Sequence, residues 1–121
     1  METLNVATKR IVVYEPCKWF RNGIGEMRRI LDLLGISYNN YDETHPEHDT
    51  EFAIAKYGLQ EGIQLLKHID NDDEEAWEVD IESLCISLDH ANMTLHDLVD
   101  CFEWLLDKGE KNSDFVYVSF Q

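Results

Sequence analysis

The chain has 121 residues and a formal net charge of −15, with 25 Asp or Glu against 10 Lys or Arg. This length fits one ordinary domain and is too short for two independent cores. Hydrophobic residues make up 44% of the chain, so the high charge does not imply intrinsic disorder. The sequence therefore predicts a single globular domain over residues 1–121.

The start of the chain and its cysteine content predict a cytoplasmic protein. Residues 1–5 have neither the basic flank nor the apolar run of a signal peptide. No stretch approaches the roughly 20 apolar residues that a membrane span needs. The three Cys are an odd number, and without export we expect free thiols. We expect no membrane partner.

The first part of the chain predicts a strand–helix–strand unit. A β-branched run over residues 9–15 predicts a buried strand that Pro16 ends. Apolar residues at helical spacing over 24–34 predict a helix, with Gly35 just beyond its C-terminus. A second strand is predicted over 36–41. A unit of this size favours a right-handed parallel crossover.

The middle of the chain predicts two helical segments, an acidic loop and one ambiguous stretch. A helix capped by its first residue is predicted over 50–57, and Gly58 is expected to interrupt it. A second apolar stripe at helical spacing covers 59–69. Residues 70–75 are predicted to form a solvated acidic loop. Residues 77–88 fit the pattern of a helix and that of strands, and both remain open.

The last part predicts the clearest helix of the chain and a final strand. Thr94 and Asp97 resemble a capping box, and the apolar residues of 95–106 follow the i, i+3, i+4, i+7 pattern. Residues 115–120 alternate as a strand does. The elements together predict an α/β or α+β domain, with a sheet of three or four strands packed with three to five helices.

Two segments resemble the glutaredoxin family. Pro-Cys-Lys-Trp-Phe at 16–20 follows the first predicted strand, as the redox Cys of glutaredoxins does, and 34–42 is similar to the family's Gly, second strand and Asp. Residues 94–109 are similar to the family's last helix. The resemblance implies a thioredoxin-like fold and Cys17 as a nucleophile with a lowered pKa at a helix N-terminus.

The active-site motifs of that family are degenerate here. The C-x-x-C motif reads Cys17-Lys18-Trp19-Phe20, so the resolving thiol is absent. The Pro that faces the Cys in the family has no counterpart, and Asn92-Met93 replaces the paired Gly before the last helix. The resemblance therefore implies one-thiol chemistry at most.

The carboxylates are concentrated in the second half of the chain. Residues 62–121 hold fifteen Asp or Glu against three Lys or Arg, and no Lys or Arg occurs over 68–107. Such a distribution costs self-repulsion on folding and attracts a basic partner. On the last predicted helix, Asp100, Glu103 and Asp107 fall on one stripe with no neutralising Lys or Arg expected at i+4.

Metal and nucleic-acid sites are disfavoured. His-Pro-Glu-His-Asp at 45–49 lacks further ligands at a recognisable spacing, and we interpret it as a solvated loop. The acidic run 70–75 lacks the glycine of an EF-hand, and the twelfth position is Ile81. The basic patch that direct nucleic-acid binding requires is missing. We predict no metal and no cofactor.

The leading hypothesis is a non-catalytic acidic inhibitor that docks on the basic, nucleic-acid-binding surface of a partner protein. It would mimic nucleic acid, as small phage-encoded inhibitors do. The alternatives are a glutaredoxin-like redox protein that uses Cys17 and an acidic adaptor or structural subunit. The predicted partner-binding residues are one Trp and the carboxylates near it or on the last helix: Asp70, Asp72, Asp73, Glu74, Glu75, Trp77, Glu78, Asp80, Glu82, Asp97, Asp100, Glu103 and Asp107.

Overall fold

The protein is a mixed α+β structure, known from a computed structural model that describes residues 4–9, 13–16, 24–40, 51–70, 79–109 and 111–120. Within these residues it has five strands and four helices. The strands are β1 (Leu4–Lys9), β2 (Val13–Pro16), β3 (Tyr38–Asn40), β4 (Glu51–Ala55) and β5 (Phe115–Phe120). The helices are α1 (Ile24–Leu33), α2 (Lys56–Asp70), α3 (Ile81–His90) and α4 (Leu95–Lys108).

The five strands form one sheet in the order β2-β1-β5-β4-β3, and each neighbouring pair is antiparallel. The sheet therefore has more strands than the three or four predicted. The expected parallel crossover is also wrong, because β2 and β3 lie at opposite edges of the sheet and never pair. Helix α1 therefore lies, along the chain, between two strands that are not neighbours in the sheet. A thioredoxin-like arrangement is not confirmed.

The strand predicted over 9–15 is in fact parts of two strands. Lys9 is the last residue of β1 and pairs with Val13, the first residue of β2. Pro16 ends β2 as predicted. Of the β-branched run, Val13 lies in β2, and residues 11–12 are outside the described residues. Strand β1 lies between β2 and β5 in the sheet.

The prediction of a helix over 50–57 is wrong, because Glu51–Ala55 forms strand β4. This strand lies between β3 and β5, and Ile54 pairs with Tyr38 on one side and Val116 on the other. Ile54 and Val116 are both fully buried. A short apolar run of this kind is compatible with a helix and with a strand. Pairing with β3 and β5 determines that this segment is a strand.

Helix α1 ends where the sequence predicts. Gly35 has a φ of +71°, the left-handed conformation that glycine adopts at little cost. The amide of Gly35 donates to the Asp32 carbonyl at 3.1 Å, and the amide of Ile36 donates to the Leu31 carbonyl at 2.9 Å. These two bonds form a Schellman motif that turns the chain toward β3.

Gly58 lies inside α2. The prediction that it interrupts a helix is therefore wrong. A β-carbon at Gly58 would lie 2.9 Å from Cγ2 of Ile36, and one at Gly62 would lie 2.8 Å from Cδ1 of the same residue. The two glycines therefore let α2 pack closely on Ile36. Close packing, not helix termination, explains their presence.

The ambiguous stretch 77–88 resolves as helix from Ile81 onward, and its first residues lie outside the described part of the chain. Asp80 caps α3 at its N-terminus, and Leu84, Ser87 and Leu88 are its buried face. The apolar residues at 84, 86 and 88 alternate as in a strand, but they do not share one buried face. Leu84 and Leu88 are buried, whereas Ile86 is exposed on the other side of α3.

The core lies between the helices and one face of the sheet. Helix α2 packs on α4 and α1 packs on α3, while α4 also contacts β1 and α2 contacts β4. The core is formed by apolar side chains from all four helices and from strands β1, β4 and β5. The largest fully buried side chain is Phe102 of α4, so this helix is fixed firmly in the fold.

Candidate functional site

Helix α4 carries the site, and its N-terminus is fixed by a complete capping box. The amide of Asp97 donates to the Thr94 hydroxyl oxygen at 3.1 Å, and the amide of Thr94 donates to the Asp97 carboxylate at 2.9 Å. These reciprocal bonds satisfy two amides that have no partner within the helix. The predicted capping box is confirmed.

The buried side of α4 sets which residues face outward. Leu98, Cys101, Phe102 and Leu105 are fully buried and hold this side against the core. Because a helix repeats every 3.6 residues, the opposite side must face solvent. The orientation of α4 is therefore determined by its apolar residues.

Three exposed carboxylates lie along the outer side of α4, and we call them the acidic stripe: Asp100, Glu103 and Asp107. Successive members are about one helical turn apart, roughly 5 Å along the axis. His96, also exposed, lies one turn before Asp100 at the N-terminal end of the stripe. The sequence prediction of an outward-facing acidic row is confirmed for these carboxylates.

Within the described residues, one end of the acidic stripe has a cation beside it. Lys111 Nζ lies 4.0 Å from an Asp107 carboxylate oxygen and donates a hydrogen bond to the Asp107 carbonyl oxygen. The expectation that no Lys or Arg lies at i+4 is thus wrong for Asp107, although such an exposed pair contributes little. No ion pair within the described ranges involves Asp100 or Glu103.

Two of the predicted partner-binding carboxylates also cap helices. Asp97 belongs to the capping box of α4. Asp80 accepts hydrogen bonds from the Ser83 amide at 3.0 Å and from the Ser83 hydroxyl at 2.7 Å. The backbone hydrogen bond from Ser83, followed by that from its hydroxyl, lowers the pKa of Asp80 below its usual 3.8. Both carboxylates therefore have a structural role. The sequence predicted this role for Asp97 but not for Asp80.

The remaining predicted site residues are divided between other helices and the undescribed part of the chain. Asp70 is the exposed last residue of α2, which packs against α4. Glu82 is exposed on α3, which packs against α1 instead. Cys17 of the thiol hypothesis and six predicted partner-binding residues lie outside the described residues: Asp72, Asp73, Glu74, Glu75, Trp77 and Glu78.

An apolar groove lies at His96, one helical turn before the acidic stripe, and sequence reasoning missed it. It lies between the C-terminal part of α2 and the N-terminal part of α4 and has a volume of about 90 Å³. Leu66, Leu95 and Val99 supply its apolar lining. The charged or polar residues at the groove are Lys67, Asp70 and His96. No local pattern marks this groove, because it exists only where two separate helices pack.

Possible metal ligands and cysteines lie among the described residues. The described residues contain no cluster of three or more His, Cys, Asp or Glu side chains that could hold a metal ion. Cys101 is buried and Cys85 is exposed, and neither forms a disulfide. The predicted solvated loop at 45–49 lies beyond the described residues. None of the helices that the structure describes is long and apolar enough to cross a membrane.

Comparison with known proteins identifies no relative. No family model matches the chain, and neither a curated protein nor a solved structure is similar to it. The acidic stripe and the adjoining groove must therefore be interpreted from their own geometry and charge.

Proposed function

We propose that this protein is a non-catalytic acidic binding protein whose α4 surface docks on a basic surface of a partner protein. The observation that carries the proposal is the acidic stripe, in which Asp100 and Glu103 are exposed and unpaired within the described residues. A helix that only needs solubility usually interleaves cations at i+4. Here the carboxylates remain available to Lys and Arg of another molecule.

In its specific form, the proposal is that the partner is a nucleic-acid-binding protein and that α4 occupies its nucleic-acid-binding groove. The carboxylates of the stripe are separated by roughly 5 Å along the helix, the same order as the phosphate spacing along a nucleic-acid strand. The net charge of −15 would speed encounter with a basic groove. Nucleic acid itself would be repelled, so the partner is a protein.

A salt-graded pull-down with the tagged full chain tests this proposal. Captured proteins, identified by mass spectrometry, should be enriched in basic nucleic-acid-binding proteins and should be lost as NaCl rises from about 0.05 to 0.5 M, because the salt screens the charges. Purified partners should lose bound DNA or RNA when the protein is added.

A matched pair of variants makes the experiment specific to α4. The Asp100→Asn/Glu103→Gln variant should lose capture, while Glu61→Gln/Asp89→Asn removes the same charge from exposed positions of α2 and α3 and should retain it. Equal losses in both variants would mean that net charge, not the acidic stripe, drives binding. Partners that stay bound at high salt would support the acidic adaptor instead.

A second proposal follows from the glutaredoxin resemblance, in which Cys17 acts as a one-thiol nucleophile. It is supported by Pro16 at the end of β2 and by the Gly35 turn after α1. The antiparallel neighbours of β2 and β3 do not support it. Thiol titration of the wild type and Cys17→Ser tests it: an ordinary thiol pKa and no turnover of glutathione disulfide would exclude this chemistry.

A further inference from the structure

We infer that the groove between α2 and α4 receives one apolar side chain from a basic helical segment of the partner. This inference rests on the proposed function and names the part of the partner that the site recognises. The groove supplies an apolar contact, and the acidic stripe beside it supplies contacts to cations. Interfaces commonly combine a small desolvated pocket with a charged rim.

The lining of the groove suits a single aliphatic side chain. Leu66 is fully buried at its base, and Leu95 and Val99 are half-buried on its α4 side. The volume of about 90 Å³ is sufficient for the end of a Leu, Ile or Met side chain and too small for a cofactor. Burial of such a side chain there would remove apolar surface of both molecules from water.

Charge selects a basic occupant over a second copy of this chain. Asp70 borders the groove on α2, and Asp100 and Glu103 lead away from it on α4, whereas Lys67 is the only Lys or Arg among the lining residues. Two copies meeting at this surface would bring these carboxylates together, and each chain carries a net charge of −15. A partner with Lys or Arg near its apolar side chain meets no such repulsion.

The register of the stripe predicts the spacing within the partner segment. His96, Asp100, Glu103 and Asp107 follow one another at intervals of about one helical turn, starting beside the groove. A helix laid along α4 repeats its own side chains at the same interval. The partner segment should therefore carry one apolar residue followed by Lys or Arg one, two and three turns further on.

A synthetic peptide with this pattern tests the inference directly. The probe is an Ala-based helical peptide with one Leu and with Lys one, two and three turns beyond it. It is titrated into the methyl-labelled full-length protein, and NMR follows the methyl groups of Leu66, Leu95 and Val99. We expect these methyl signals to shift, and replacement of the peptide Leu by Ala should weaken binding about tenfold.

Protein variants provide a second, independent readout. Val99→Phe fills the groove and should weaken binding of the Leu peptide about tenfold while leaving binding of the Ala peptide unchanged. Ile86→Phe is the matched control, because Ile86 is 46% exposed on α3, away from the groove. Should Val99→Phe fail to fold, the methyl shifts of the wild-type protein still decide the question.

The outcomes separate this inference from the proposed function. If the Leu and Ala peptides bind equally and the three methyl groups do not shift, the groove is not used, although the acidic stripe still is. If a peptide with Ser in place of Lys binds as well as the Lys peptide, the charge-based function itself fails. Methyl shifts on raising protein concentration alone, with a dimer in sedimentation, would show a second copy as the occupant and overturn the inference.

Discussion

At Gly58, α2 approaches Ile36 so closely that a methyl group has little room. The Gly58→Ala variant would place a β-carbon 2.9 Å from Ile36 Cγ2, so either this buried side chain or helix α2 would have to shift. Overpacking of this kind costs about 1–3 kcal/mol, whereas Ala gains about 1 kcal/mol over Gly in helix propensity. We expect a net loss of about 1 kcal/mol in the free energy of unfolding, measured by urea denaturation.

Gly25 of α1 is the control for this change, since nothing lies within 4 Å of a β-carbon built there. Gly25→Ala should leave stability unchanged or raise it by up to about 1 kcal/mol. Gly62→Ala should fall between the two, because its contact is with the mobile end of the Ile36 side chain. If Gly25→Ala and Gly58→Ala raised the free energy of unfolding equally, the approach of α2 to Ile36 at Gly58 would not be close enough to exclude a methyl group.

The pKa of Asp80 should lie below its ordinary value. The hydrogen bonds from Ser83 hold its pKa below 3.8 in the folded protein. A depressed pKa means that this carboxylate stabilises the fold above its unfolded pKa, near 3.8, and that the contribution is lost as pH falls through the lower folded value. NMR titration of the Asp80 carboxyl carbon measures it. The Ser83→Ala variant keeps the capping amide and loses only the hydroxyl, so it should raise this pKa in part. No change would mean that the Ser83 hydroxyl does not bond to Asp80.

The capping box should stabilise helix α4, and substitution of Thr94 tests this. Thr94→Ala removes the hydroxyl that accepts from the Asp97 amide and should cost about 1 kcal/mol of unfolding free energy. Thr94→Ser keeps an accepting oxygen and should remain close to the wild type. Urea denaturation gives both values, and faster amide exchange in the first turn of α4 should accompany the loss. Identical stability of the two variants would contradict the capping role.

Helices were predictable from the sequence where their signals were local. Thr94, Asp97 and the apolar row of α4 lie within a few turns of one another, so the acidic stripe could be placed in advance. Strand β4 could not, because Ile54 is fixed by pairing with Val116, far along the chain. The groove was missed for the same reason, since it needs Leu66 of α2 beside α4. Tertiary contacts, not local propensity, decide such features.

The whole molecule should become more stable as salt is added. A net charge of −15 on 121 residues repels itself in the folded state, and salt shortens the range of that repulsion. The Tm should rise by roughly 3 °C or more between about 0.02 and 0.3 M NaCl, as followed by circular dichroism. The Asp100→Asn/Glu103→Gln variant has less repulsion and should show a smaller rise. A Tm that falls with salt would indicate that attractive ion pairs dominate.

The position of β5 in the sheet has a consequence for synthesis. This strand is the last of the described strands to leave the ribosome, yet it lies between β1 and β4 and joins the two halves of the sheet. Until it emerges, a nascent chain can form the β1–β2 and β3–β4 pairs only, each with an unpaired edge that invites aggregation. We therefore expect the sheet to be completed only after residue 120 has been synthesised, not progressively as the chain is translated.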